Sequence, residues 1–438
     1  MKKIIKLLAT ISLLAPFFFA GCDNPAFYGV SNDVVSEDAT VSGNIAQITR
    51  YTASGTEFLI VNADNGMRYK RADNRSHGSW KTYGGLPFSL HSYDYYGEKH
   101  NGEQIIKIVA DSEYLYILST TYKNDNDEGT VAPDVVRLRC AKITSNDGQN
   151  LDGTEWKTLN ESKSGNVSAV FKIYKYSSTG YYYSAFSLLS TNSLNPAHRK
   201  VFVRSGKYNA VNANGNAAIT TPVYYDVSSS GLTKTSITKA WNGTSTVSDL
   251  TKNNVYGVAW FNNAYTFFTQ PAVATNECYT NYTYTALASN TTYQEPTVCY
   301  FGYNSSLCYL KSDGTTGSIG ANRTITALAV CADSILIGMG TWDASTGSGY
   351  NTYGGITKSN LNNGIPTGTT KFSTNADTQI TSGYHVYSLL NANPSETETS
   401  SALYAAIGFA GSGSSTGVAY SSIGLWSYYP SRGNWNRE

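Results

Sequence analysis

The 438-residue sequence predicts an all-β protein of about six four-stranded antiparallel sheets set around one axis. Three observations carry that expectation. Thirty-five tyrosines amid abundant Ser, Thr, Asn and Gly, with only 14% charged residues, favour short strands and polar turns over helix. Six segments along the chain read as an apolar strand, a tight turn and a second apolar strand. Tryptophans then close four of these units in a similar frame.

The chain opens on a cationic start at Lys2, Lys3 and Lys6, an apolar run from Leu7 to Phe19, and a small pair, Ala20-Gly21, before Cys22. This is the pattern of a secretory signal rather than a spanning helix, which needs about 20 apolar residues with suitable flanks. Cleavage before Cys22 would free an amine beside its thiol. Acyl chains on both supply stable anchoring, at about 0.8 kcal/mol per buried CH2. Ala20-Gly21-Cys22 resembles the lipobox of bacterial lipoproteins, and Phe19 in place of the usual Leu is similar to spirochaetal examples. The resemblance covers residues 1–22 and implies a signal peptide over 1–21, lipid on Cys22, export, and anchoring to the inner or outer bacterial cell membrane. The competing reading is a simple signal peptide with a chance cysteine. Residues 22–43, short on large apolar side chains, form a tether between lipid and folded body.

Bulk charge excludes some partners. Without the three leader lysines the count is 29 basic against 31 acidic residues, so nothing in the composition attracts nucleic acid or an anionic membrane surface.

From residue 44 onward the hairpins follow in order. They are NIAQITRYTASGTEFLIVNAD from Asn44, QIIKIVADSEYLYILST from Gln104, AVFKIYKYSSTGYYYSAF from Ala169, NVYGVAWFNNAYTFFTQ from Asn254, TITALAVCADSILIGMG from Thr324, and HVYSLLNANPSETETSSALYAAIGF from His385. Measured from Ile45, Ile106, Val170, Val255, Ile325 and Val386, the spacings are 61, 64, 85, 70 and 61 residues. An Ala-Asp-Ser turn recurs at Ala110 and Ala332. More alternating pattern follows each hairpin, and Trp80, Trp156, Trp241 and Trp435 close four units. Sheets apolar on both faces cannot stand alone, and stacking them around an axis covers them while leaving only short edges. Residues 44–438 thus resemble β-propeller proteins in general, with a pair of β-sandwiches divided near residues 242–252 as the alternative. The segment DVVSEDATVSG before the first hairpin is the expected partner for ring closure.

No linear motif names a reaction. The glycines before Trp80, Trp156 and Trp435 resemble degenerate Asp-box turns of sialidase-like propellers, but the Ser-x-Asp-x-Gly-x-Thr-Trp order is absent, and even there the box serves folding. These tryptophans are read as blade packing. His91, Asp94, Glu98 and His100 bracket a turn that nothing forces to converge on a metal. KNDNDEGT at Lys123 to Thr130 lacks the twelfth-position Glu of an EF-hand. GSSTG at Gly413 to Gly417 puts Ser415 in a nucleophile-elbow pattern, with no histidine after it in the chain. No catalytic residue, metal or cofactor is assigned. Cys140, Cys278, Cys299, Cys308 and Cys331 contain no C-x-x-C, and they are either small buried hydrophobes or include a bridge such as Cys299 to Cys308 across one hairpin.

The candidate ligand-binding residues are Tyr279, Tyr282, Tyr284 and Tyr293 in CYTNYTYTALASNTTYQEP, since tyrosine offers rigid amphipathic area at low entropy cost. The same stretch could instead be an insertion packing on its own blade. The expected function is a lipid-anchored envelope or surface protein that binds or scaffolds a protein or glycan through its loops. The alternative is an extracytoplasmic carbohydrate-active enzyme of glycosidase or lyase type with axial carboxylates. Ionisable side chains clustered at a mouth of the ring favour the enzyme, and aromatic and amide groups favour the binder.

Overall fold

Alternation along the strands decides the architecture. In Thr56–Ala63 the side chains of Leu59 and Val61 face one way, those of Phe58 and Ile60 the other, and all four are fully buried. A strand apolar on both faces needs a covering sheet on each side. The computed structural model describes residues 41–438 except for short stretches, the longer being 94–98, 123–132, 164–169, 176–181, 210–217, 281–290, 341–353, 373–379 and 410–423, and it describes none of residues 1–40. The leader, Cys22, the segment 123–130 and Ser415 therefore lie outside the described residues.

Among the described residues, seven four-stranded sheets supply that mutual cover. Their inner strands are Thr49–Ala53, Glu103–Ala110, Phe186–Ser190, Gly257–Phe261, Val273–Thr275, Ile325–Val330 and Tyr384–Asn391. We number the sheets as blades one to seven in this order. Seven buried apolar clusters lie one between each neighbouring pair of blades, and the last joins blade seven to blade one. The ring is a closed β-propeller. Both faces of every sheet are covered, which a pair of sandwiches would not provide.

The seventh blade is the one the hairpin pattern misses. Blade five pairs Val273–Thr275 with Val298–Tyr303, then Ser306–Lys311 and Thr316–Gly320. Its inner strand is three residues long and separated from its partner by an insertion, so no compact hairpin marks it. Blade four hides the count further, because its outer strands, Ala240–Trp241 and Thr246–Val247, precede its inner pair, Gly257–Phe261 and Ala264–Phe268. Trp241 pairs parallel with Phe268 there, while every neighbouring strand pair in the other six blades is antiparallel. That arrangement lengthens the third sequence unit and puts a blade-four strand, Thr246–Val247, where the sandwich alternative has its boundary.

Unit three also differs from its sequence pattern. The stretch from Val170 holds a separate two-stranded ribbon, Ile173–Lys175 with Tyr182–Ser184, and blade three begins only at Phe186. The two Ala-Asp-Ser triplets are not equivalent either. Ser112 sits in the turn of blade two, whereas Ser334 begins the second strand of blade six.

Trp80, Trp156 and Trp435 pack as read. Trp435 is fully buried between blades six and seven, Trp80 meets Tyr404 edge-on at 5.9 Å across the closing seam, and the Trp156 indole donates to the Gly85 carbonyl at 2.8 Å. Closure uses the chain on both sides of that seam. The Val41 amide donates to the Glu438 carbonyl at 3.1 Å, and Lys70 of blade one lies within 5.8 Å of the rings of Trp80, Tyr404 and Tyr429 while its amine meets the Tyr429 hydroxyl at 2.5 Å. All five cysteines beyond Cys22 are free. Cys299 lies opposite Leu310 and Cys308 opposite Phe301, so the two thiols are offset along the hairpin rather than facing each other, and burial pushes the Cys308 thiol up to about 11.

Candidate functional site

Stacking seven sheets around an axis leaves space where the inner strands cannot touch. A cavity of about 280 Å³ lies there, lined by residues from the inner strands of all seven blades or the chain beside them. Its two ends are chemically opposite. At the upper end the inner strands run into turns toward the second strands. At the lower end the chain arrives at the inner strands.

The upper end is closed by ionic groups that hold one another. Glu57, buried at the start of the second strand of blade one, accepts from Arg50 at 2.8 Å and from Arg199 of the blade-three turn at 2.5 Å. The Tyr279 hydroxyl donates to the same carboxylate at 2.9 Å. Arg50 reaches on to the carbonyl of Asn391 in blade seven, and the Asn192 side chain bridges from blade three to the backbone of Ile48 and Arg50 in blade one, at 2.9 and 2.8 Å. Asn192 holds a left-handed backbone, φ 45°, a conformation that asparagine tolerates better than most residues. The second axial carboxylate, Glu277, accepts from the Ser193 hydroxyl at 2.6 Å and the Leu194 amide at 2.9 Å, with the His198 ring 3.6 Å away. His198 stacks on Trp260 at 4.5 Å and faces Glu295 at 3.4 Å.

The tyrosine-rich insertion helps make this closure. Cys278–Tyr279 pairs with Tyr293–Gln294 in a short ribbon, and the two tyrosine rings lie 5.6 Å apart. The Ser395 hydroxyl both accepts from the Tyr279 amide at 2.7 Å and donates to its carbonyl at 3.0 Å, tying blade five to the blade-seven turn. Tyr279 is only 6% exposed. Its hydroxyl turns inward to Glu57, and Tyr293 is half-buried against it. Tyr282 and Tyr284 lie outside the described residues, as do His91, Asp94 and Glu98.

The lower end carries uncommitted groups. Tyr387 is 42% exposed, one of two large hydrophobic residues so exposed among those described; the other, Ile106, stands on the inner strand of blade two. Tyr256 and Gln47 line the same end. Among the described residues, neither tyrosine hydroxyl nor the Gln47 amide makes a side-chain hydrogen bond. Lys107, on the inner strand of blade two, donates to the Leu188 carbonyl at 2.7 Å and meets no carboxylate among the described residues. Burial lowers its amine to about 8. Behind Tyr256 stands Arg204, its guanidinium 4.5 Å from the ring centroid, with Nε and Nη1 buried and without partners among the described residues. Beside Tyr387, at 4.3 Å, His385 is lowered to about 4 by burial.

Sequence reasoning missed Lys107, Tyr256 and Tyr387. The available signal was a charge inside an apolar inner strand, QIIKIVA, but that pattern alone does not tell an axial lysine from a solvent-facing one.

No family model and no curated protein matches the chain. Among solved structures it is similar to a glycosyl hydrolase from Bacteroides ovatus, at 9% identity over 91% of this chain and 87% of that one, with a TM-score of 0.27. It is also similar to an ACO/RPE65 chimera, at 11% identity over 83% of this chain and 66% of that one, with a TM-score of 0.26. Likenesses this distant carry no functional argument.

Proposed function

We propose that this propeller is an exported, lipid-anchored binding module that takes up a small ligand or a ligand terminus, glycan or protein, at the lower mouth of its axis. One observation carries the reading: among the described residues, Glu57 and Glu277 at the upper end are engaged by arginine, hydroxyl and amide donors, while the Tyr256 and Tyr387 hydroxyls and the Gln47 amide make no side-chain hydrogen bond and the Lys107 amine meets only a carbonyl. Hydrolysis of a glycoside needs one carboxyl free to give a proton and one free to attack or to activate water. Recognition needs aromatic area and a few unpaired polar groups around a concave space. The anchor rests on Ala20-Gly21-Cys22 and puts the module at the cell envelope.

Two measurements test this. Mass spectrometry of the mature protein should find an acylated N-terminal Cys22, and an unmodified thiol there removes the anchor. Calorimetric titration with a panel of mono- and disaccharides and short peptides should find binding that Tyr387→Ala weakens. Turnover of nitrophenyl glycosides by the purified protein would replace the binding reading with the hydrolase.

A further inference from the structure

The charge balance of the cavity narrows the ligand class. Among the described residues three formally charged side chains line it: Arg50, Lys107 and Glu277. Arg50 is neutralised by Glu57 at 2.8 Å, and Glu277 is held by Ser193, the Leu194 amide and the nearby His198 ring. Lys107 is left with a carbonyl for a partner. A buried or half-buried ammonium without a counter-ion is costly, and that cost is recovered when an anion arrives.

A second, independent feature points the same way. Arg204 is only 5% exposed, and it satisfies one nitrogen on the Ser187 hydroxyl at 2.9 Å while two others find no partner among the described residues. Its guanidinium lies over the face of Tyr256, a lining residue. Ser187 and Leu188, the partners of Arg204 and Lys107, are adjacent in blade three. The two cations thus flank blade three from opposite faces, Lys107 reaching the cavity from blade two and Arg204 standing behind Tyr256 on the blade-four side. Across the cavity stand Gln47 and Tyr387, able to receive or donate hydrogen bonds to hydroxyl groups. At about 280 Å³ the space lies just below the usual range of ligand pockets, about 300–1,000 Å³.

We infer that the lower axial cavity binds a hydroxylated carboxylate of monosaccharide size, an acidic sugar of the uronate kind, with the carboxylate on the Lys107 amine and the hydroxyls on Gln47, Tyr256 and Tyr387. Arg204 acts from behind Tyr256 as a positioning charge, holding the ring and raising the local potential without touching the ligand. The inference rests on the binding reading above and gives it a ligand class.

The test is isothermal titration of the full folded domain with glucuronate and galacturonate, set beside glucose and inorganic phosphate, each of which carries one half of the recognition. Uronates should bind and the two half-ligands should bind more weakly. Lys107→Met should weaken uronate binding by about ten- to a hundredfold, the range for losing a hydrogen bond to a charged group. Lys107→Arg should restore part of it. Thermal unfolding without ligand should be unchanged in both variants, which separates lost recognition from lost folding. Uronates that fail to bind, or that bind Lys107→Met as well as the parent, overturn the inference. If glucose binds as tightly as the uronates and depends on Tyr387, the acidic class falls and the binding reading stands. If none of the four probes binds and glycosides are turned over, the binding reading falls with it.

Discussion

Around the axial cavity stand similar side chains in opposite states. At the upper end Arg50, Arg199 and Tyr279 converge on the single carboxylate of Glu57, and all four are buried. Lys107, midway along its inner strand, and Arg204, near the lower end, meet no carboxylate among the described residues. The difference teaches how to read charge in this fold. Buried ions whose donors and acceptors are matched hold blades together, and removing one partner is expensive because the others stay behind. Ions left unmatched beside a cavity add nothing to that hold, and their unmet demand is available to a ligand.

The largest expected effect breaks the upper end. Glu57→Ala strips the shared carboxylate from two buried arginines and should cost about 3–5 kcal/mol in urea denaturation; a loss below about 1 kcal/mol would mean that the cluster is not what closes the ring there. Next comes acid sensitivity at the lower end. His385 is held neutral in the folded protein to about pH 4, whereas unfolded histidine takes up a proton near 6.5. Between those values the unfolded state binds more protons, so stability rises with pH and is lost as pH falls from about 6.5 to 4, by about 3 kcal/mol for this group. Denaturation midpoints across that window should show a shallower slope for His385→Gln than for the parent, and equal slopes would refute the assignment. A smaller effect sharpens the contrast: Trp156→Phe removes the indole bond to Gly85 and should cost about 1 kcal/mol. The smallest is Lys107→Met, which should change stability by less than about 1 kcal/mol, since the amine gives up one carbonyl and a desolvation penalty together. A large loss there would make Lys107 a structural residue like Arg50.

How much of this was legible depended on whether a feature is local. The second strand of blade one, TEFLIVNA, announces a sheet apolar on both faces, and six such announcements suggested a ring. Blade five went unread because its inner strand, Val273–Thr275, is short and its partner arrives after the tyrosine insertion. Blade four misled because its outer strands come first in the chain. The tyrosines of that insertion were read as a possible binding surface from composition, yet Tyr279 turned inward once Glu57, far away in sequence, supplied an acceptor. Lys107 had no local mark, because its distinction is the partner it lacks.

By itself the sequence determined the strand alternation, the low charge, the turn chemistry and the leader pattern ending at Cys22, since each depends on neighbours along the chain. The tertiary structure decided the number of blades, the free state of the thiols, and which charges are matched. Those depend on what closure of the ring brings within a few ångströms, and residues more than three hundred positions apart, such as Lys70 and Tyr429, meet only when the last sheet covers the first.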